Sequence, residues 1–358
     1  MSTSMSMSIM HRLSRDVRDL LLKSHHYHLS HSISWTVETV DLVVGDDDDD
    51  ASHMIMEPLS FVREFVAPAR PLLIRNAAPN EWQIQAQPNQ LAASLKGAKV
   101  QVDIAGGGLA DAVVRAPGPD ATFVFAQPFV THMTFEQFHA ELNEVALKMK
   151  QNNGIAEDTP VPYIQHQDNN LQQDFSQLLD AIPLDGPSWA RKAFGEPPEA
   201  RNFWAGCSAS VTSAHRDHYN NVYAVLRGTK TFHLLPPTDA YFVPRKPFPN
   251  ARWAMEQDGT CVPKLTNDHD VLWIQPDDER RAMEETDDGD ECGGKFVTVD
   301  VNAGDILYLP PQWLHRVTQR GPSPDDDLCV AVNWWWAGST TVDMRSAVQN
   351  ALEGLREL

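Results

Sequence analysis

Cysteine is scarce in this chain: 358 residues hold four, Cys207, Cys261, Cys292 and Cys329, and none are in CxxC spacing. That scarcity excludes a disulfide scaffold or a zinc ribbon and fits a reducing compartment, cytoplasmic or nuclear. Long apolar runs are missing too. No stretch approaches the roughly 18 to 20 residues a helix needs to cross a bilayer, so no membrane association is expected. Positive charge is in deficit, with 29 Lys and Arg against 49 Asp and Glu for a net charge of −20. Such a surface disfavours direct contact with nucleic acid and permits a basic peptide as partner. Most of the excess acid sits in three polar segments, 46–50, 277–291 and 325–327, so it belongs to loops. A phosphate loop is also absent. The glycines of "IAGGG" (Ile104–Gly108) lead into neither G-x-G-x-x-G nor GK[ST], and their expected use is a hairpin turn.

What remains is a chain with 42% hydrophobic residues and 10 Trp, enough for a generous globular core. Leu13, Val17, Leu20 and Leu21 mark one face of a short N-terminal helix, and the acids Asp16 and Asp19 argue against a transit peptide. His25, His26, His28 and His31 read as a solvated polar stretch. The run Asp46–Asp50 reads as an exposed insertion, so residues 1–57 stand apart from a domain expected over 58–358. Phe61, Val62, Phe65 and Val66 have helical spacing, and "RPLLIRNAA" (Arg70–Ala78) then reads as a buried strand. Thr134-x-x-Gln137 is a capping-box pattern ahead of a helix with Phe135, Phe138, Leu142, Val145 and Met149 on one face. From Phe203 the texture changes to short strands, "NFWAG", "NVYAVL", "KTFHLLPP", "KFVTVDV", "DILYLP" and "LCVAVNWWWA", which predict a mainly β barrel or sandwich with flanking helices. A proline-broken insertion at about 245–294 reads as a long loop, and Met344, Val348, Leu352 and Leu355 mark a C-terminal helix.

Chemistry concentrates in "TSAHRDHYNNVYAVLRGTK" (Thr212–Lys230). On a strand His215 and Asp217 point the same way, a geometry that suits a metal. With 14 His in the chain, about one His-x-Asp match is expected by chance. A second match, His166 and Asp168, does exist. What distinguishes the first is its company. "NAGDILYLPPQWLHRV" (Asn302–Val317) offers His315 at a strand after a forced turn, and two His with one carboxylate leave coordination positions open on iron(II). Lys230 shares strand parity with Phe232 and Leu234, so its ammonium faces an apolar interior and requires an anion. Asn221 and Tyr223 share parity with Val225 on the preceding strand, and Thr212 adds a hydroxyl.

These stretches, Asn202–Pro237 joined to Val301–Trp336, resemble a JmjC domain of the iron(II)- and 2-oxoglutarate-dependent oxygenases, most nearly the small JmjC bifunctional peptidase and (3S)-lysyl hydroxylase family. The similarity extends upstream through "RPLLIRNA", "ADAVV" and "YIQHQ". It implies a double-stranded β-helix of cupin type and an Fe(II) triad of His215, Asp217 and His315. It also implies 2-oxoglutarate and O2 as co-substrates, with Lys230 on the far carboxylate. Thr212 and Asn221 match residues near 2-oxoglutarate, and Tyr163, Tyr223, Asn333 and Trp335 match pocket positions. The implied partner is a protein presenting a lysine, with a GTP-binding protein favoured and a histone tail, through N-methyl-lysine demethylation, as the alternative. Related oxygenases pair through a C-terminal helix, so a homodimer is an open expectation. The rival readings are a non-catalytic cupin, whose signature is loss of a triad residue or of the lysine, and a zinc peptidase, which leaves Lys230 without a purpose.

Overall fold

The computed structural model describes residues 37–41, 57–117, 122–237, 239, 243–283 and 296–338. The expected N-terminal helix, the run Asp46–Asp50, the acidic end of the insertion and the C-terminal helix with its dimer expectation lie outside the described residues.

Eight strands form the centre: β1 (Ala200–Gly206), β2 (Val211–His215), β3 (Asn220–Arg227), β4 (Thr229–Leu235), β5 (Val297–Asn302), β6 (Ile306–Leu309), β7 (Leu314–Arg320) and β8 (Cys329–Trp336). They pair antiparallel as two facing sheets, β6-β3-β8-β1 and β5-β4-β7-β2, a double-stranded β-helix. The first sheet is widened by Leu72–Arg75 beside β6 and by Glu38–Asp41 beside that.

Alternation explains how both faces of the first sheet are filled. Tyr223 and Val225 of β3, Leu307 and Leu309 of β6 and Ala331 of β8 join Phe232, Leu234, Val299 and Val317 of the second sheet in one interior cluster. Their neighbours Val222, Ala224, Ile306, Tyr308, Val332 and Trp334 face outward and are covered by Phe61, Trp82 and Trp189. Every residue of β3 and β8 is therefore buried, and both strands read as near-continuous apolar runs. Gly228 joins β3 to β4 at φ +74, where a Cβ would lie 2.4 Å from the Arg320 carbonyl oxygen. The expected helix runs Phe135–Asn152, with Thr134 and Gln137 exchanging both capping-box bonds.

Two expectations change. The Gly106–Gly108 turn is not a hairpin. Lys99–Gly106 pairs with Phe129–Thr134 and Pro160–Tyr163, whereas Leu109–Ala110 leaves the turn to lie parallel to β2. Gly108 is required by that approach, since a Cβ there would meet the Ala209 carbonyl oxygen at 1.9 Å. The proline-broken insertion is not one long loop either. It contains strands Arg245–Phe248, Asn250–Met255, Cys261–Leu265 and Val271–Ile274 and the helix Pro276–Met283. Pro247 lies in a two-stranded ribbon and Pro263 on the outermost strand of a four-stranded sheet, the edge positions that tolerate a missing N–H. Asn250–Met255 pairs in parallel with Phe123–Gln127, fastening the insertion to the N-terminal half of the domain.

Candidate active site

His215 ends β2 and His315 is the second residue of β7. The two are direct cross-strand partners, with ring centroids 4.2 Å apart. The register slips between Thr212 and His215, so Ser213 and Ala214 together stand opposite Arg316. This bulge lets Thr212 and His215, three residues apart, both face inward; a regular strand would separate them. Asp217 corrects the expectation of a shared strand face, because β2 stops at His215 and Asp217 lies in the following loop. Its convergence comes from the backbone. Gln312, in the left-handed region at φ +69 after Pro310 and Pro311, donates its N–H to the Asp217 carbonyl oxygen at 2.8 Å.

The result is compact. Asp217 Oδ1 lies 3.8 Å from His215 Nε2 and Asp217 Oδ2 lies 3.7 Å from His315 Nε2. The three ligand atoms all fall within 4.8 Å of one another, close enough to share one ion. Each histidine is oriented by the carbonyl two residues before it: His215 Nδ1 lies 2.9 Å from Ser213 O and His315 Nδ1 lies 2.9 Å from Trp313 O. A proton on Nδ1 leaves the Nε2 lone pairs aimed at the common point. Burial, and then the neighbouring His215, lower the pKa of His315 to about 4, so the ring is neutral and ready to coordinate at pH 7.

One narrow cavity collects Thr212, His215, Asp217, His315, Lys230, Asn221, Tyr223, Tyr163, Asn333 and Trp335, all of the residues singled out from the sequence. Lys230 is 1% exposed. Its ammonium donates to Tyr163 Oη at 2.9 Å and lies 5.2, 5.7 and 5.9 Å from the ring centroids of Tyr163, Trp204 and Tyr223. Among the described residues no carboxylate pairs with it. Aromatic faces offset part of the desolvation of a cation but leave its charge uncompensated. Beside it, Trp204 Nε1 donates to Asn333 Oδ1 and Asn333 Nδ2 to Asn221 Oδ1, fixing both amides. Trp335 Nε1, and both amide atoms of Gln319 opposite Lys230 in the register, are buried without a hydrogen-bond partner among the described residues. The chemistry of an uncompensated cation with a spare indole N–H in the same cavity matches a carboxylate ligand, and the donor set of two His and one Asp matches iron(II).

Sequence reasoning missed Trp204, Gln167 and Val317 as lining residues. Trp204 carried a usable signal, since it sits on a strand whose neighbours alternate inward. His166 and Asp168 form no metal group among the described residues, and His166 Nε2 instead lies 4.0 Å from Asp174 Oδ2.

Past His215 and Thr212 the cavity meets an open groove lined by Asp103, Asp111, Gln165, His166, Arg252 and Trp273, among others. Asp111 follows the Leu109–Ala110 strand, and its carbonyl accepts a 2.7 Å bond from Ser213 Oγ. Gln165 Nε2 reaches Asp111 Oδ2 at 3.5 Å, and Gln101 Nε2 reaches Asp103 Oδ1 at 3.2 Å. Neither carboxylate has a Lys or Arg in ion-pair contact among the described residues, and Arg252 turns to Gln127. Asp111 keeps solvent access along the groove, yet the protein crowded around its carboxyl, and then the Asp103 charge, push its pKa up to about 6.

Comparison with known proteins places this geometry. Residues 58–341 match the family model described as a cupin-like domain. The chain is 32% identical over 300 residues to JmjC domain-containing protein E of Dictyostelium discoideum, covering 78% of this chain and 81% of that protein. It is 32% identical over 314 residues to lysine-specific demethylase JMJ32 of Arabidopsis thaliana, covering 83% and 84%. It is also 32% identical over 287 residues to the bifunctional peptidase and (3S)-lysyl hydroxylase JMJD7 of Homo sapiens, covering 78% and 81%.

Proposed function

The chain belongs to the cupin-like, JmjC-domain family, and from that premise we propose that it is an iron(II)- and 2-oxoglutarate-dependent oxygenase that hydroxylates a lysyl side chain of another protein. The observation that carries the co-substrate assignment is the buried ammonium of Lys230, in the same cavity as the His215, Asp217 and His315 set and without a carboxylate partner among the described residues.

His215, Asp217 and His315 would hold the metal, and Lys230 with the Tyr163 hydroxyl would hold the far carboxylate of 2-oxoglutarate. Iron(II) with 2-oxoglutarate and O2 would supply the oxidation of a substrate C–H bond to an alcohol, with succinate and carbon dioxide as the other products. The residues of this chain orient and exclude water. Asn221 and Asn333, joined by a hydrogen bond, line the cavity together with Trp335 and Phe232.

The groove supports an unmethylated lysine over a methylated one. Asp103 and Asp111 present acceptors to an ammonium N–H, and each methyl group on the substrate nitrogen removes one donor. The buried free thiols of Cys207, Cys261 and Cys329 agree with a cytoplasmic or nuclear setting.

The test incubates the protein with Fe(II), 2-oxoglutarate, air and lysine peptides from GTP-binding proteins and from histone tails, the latter both unmethylated and methylated. Hydroxylation adds the mass of one oxygen and yields one succinate, and His215→Ala abolishes both. Loss of methyl groups from the methylated peptides, with no oxygen gained by the free ones, replaces this reading with the demethylase. Turnover under strict anaerobiosis refutes both.

A further inference from the structure

The insertion contributes more to the site than a groove wall. At the β2 bulge, where Ser213 and Ala214 face Arg316 alone, the ladder leaves backbone groups without their regular partners. Ala214 is 1% exposed, so its N–H needs an acceptor from within the protein. That acceptor is Glu279, from the helix Pro276–Met283: its Oε1 receives the Ala214 N–H at 3.2 Å and the Arg316 Nε at 2.9 Å. One carboxylate oxygen thus ties together the residue before His215 and the residue after His315. The helix is seated there, with Ala282 packed on Ala214, Leu235, Val243, Ile274 and Leu314, and it is joined to the residue just before β5 by a bond from Phe296 N to Ala282 O. Trp273, also from the insertion, donates from Nε1 to Ser213 Oγ at 3.0 Å, on the residue whose carbonyl orients His215.

Accepting that His215, Asp217 and His315 form the metal site, we propose that Glu279 is a positioning residue for it: the inserted helix locks the bulge that aims His215, and metal affinity depends on this carboxylate although it touches no ligand atom. Glu279 holds the backbone N–H just before His215 and the side chain just after His315, and residues that orient metal ligands from behind characteristically change affinity by about 10- to 100-fold when removed.

The experiment titrates Mn(II) into the full chain and into Glu279→Ala, Glu279→Gln and Glu279→Met, and records the visible absorption of each Co(II)-loaded protein. Glu279→Ala weakens Mn(II) binding about tenfold or more and alters the Co(II) spectrum. Glu279→Gln, which keeps the side-chain volume and an acceptor for Ala214, stays within about threefold of wild type, whereas Glu279→Met, which keeps the volume without the acceptor, weakens binding as alanine does, a difference that packing alone does not produce. The Ala214 amide exchanges faster with solvent in the alanine variant than in the glutamine variant. A folded Glu279→Ala protein with wild-type affinity and spectrum overturns the inference and leaves the metal assignment standing; a wild-type chain that binds no Mn(II) instead removes the assignment on which it rests. Should Glu279→Ala fail to fold, Glu279→Met removes the acceptor while filling the same space, and unchanged Mn(II) affinity in that variant is equally decisive against the proposal.

Discussion

Replacing Lys230 by Met has two effects of opposite sign. In the protein without co-substrate, the ammonium is 1% exposed and has one neutral hydrogen-bond partner, Tyr163, for its three N–H donors. An apolar side chain of similar length removes that desolvated charge from the midst of Tyr163, Trp204 and Tyr223. Apolar replacement of buried ionic groups is often neutral or stabilising by about 1 to 4 kcal/mol, so the free variant unfolds at the same or a higher temperature than wild type. Co-substrate binding moves the other way. Truncating one member of a buried hydrogen-bonded charge pair costs about 2 to 5 kcal/mol, which is roughly 30-fold or more in Kd. The assay is thermal unfolding of the Mn(II)-loaded protein with and without 2-oxoglutarate. At a concentration near 100 times its Kd, the ligand stabilises wild type by about 2.7 kcal/mol, and the same concentration stabilises Lys230→Met by less than about 0.9 kcal/mol. At about 2 °C per kcal/mol for a domain of this size, the shifts are roughly 5 °C and under 2 °C. A variant that keeps the full ligand-induced shift, or one that loses several kcal/mol before ligand is added, refutes the account of Lys230 as an uncompensated cation awaiting a carboxylate.

Three further outcomes follow from the same geometry. Tyr163→Phe removes the hydroxyl bonded to Lys230 and weakens 2-oxoglutarate binding by about 13-fold or more, from the lower end of the roughly 1.5 to 3 kcal/mol span of hydrogen bonds to charged groups, as read by titration calorimetry. Asp111→Asn raises the KM for a lysyl peptide about fivefold at little change in kcat, a modest figure because this carboxylate is open to water. Its raised pKa means that the charge is present above about pH 6 and is lost as pH falls through that value. Wild-type KM therefore rises roughly 2.4-fold between pH 7 and 5.5, and the profile of Asp111→Asn is flat over that range. Thr134→Ala breaks the capping box of the Phe135–Asn152 helix and lowers stability by about 1 kcal/mol in denaturant titration, leaving turnover unchanged.

The sequence was most legible where strands are regular. Parity alone turned Lys230 and Phe232 inward on β4, and Asn221 and Tyr223 inward on β3, because an unbroken ladder keeps its period of two. It named the three metal-site residues and misread the backbone that brings them together. Thr212 and His215 face the same cavity only because of the bulge, and Asp217 arrives from a loop through a backbone bond to Gln312. Neither device has a composition signature. The insertion was illegible for a related reason: Pro247 and Pro263 break the alternation from which strands are recognised, while edge pairing tolerates them. Its partner, Phe123–Gln127, lies over a hundred residues earlier in the chain, a distance that local pattern cannot bridge.

That parallel pairing carries an evolutionary implication. Arg252 and Trp273 of the insertion line the groove together with Asp103 and Gln165, whereas the histidines and Lys230 are carried by the inner strands. Selectivity can drift through exchanges on this outer panel while the oxidising centre stays as it is. The freedom is bounded, because a shortening that takes the helix Pro276–Met283 with it also removes the brace behind His215.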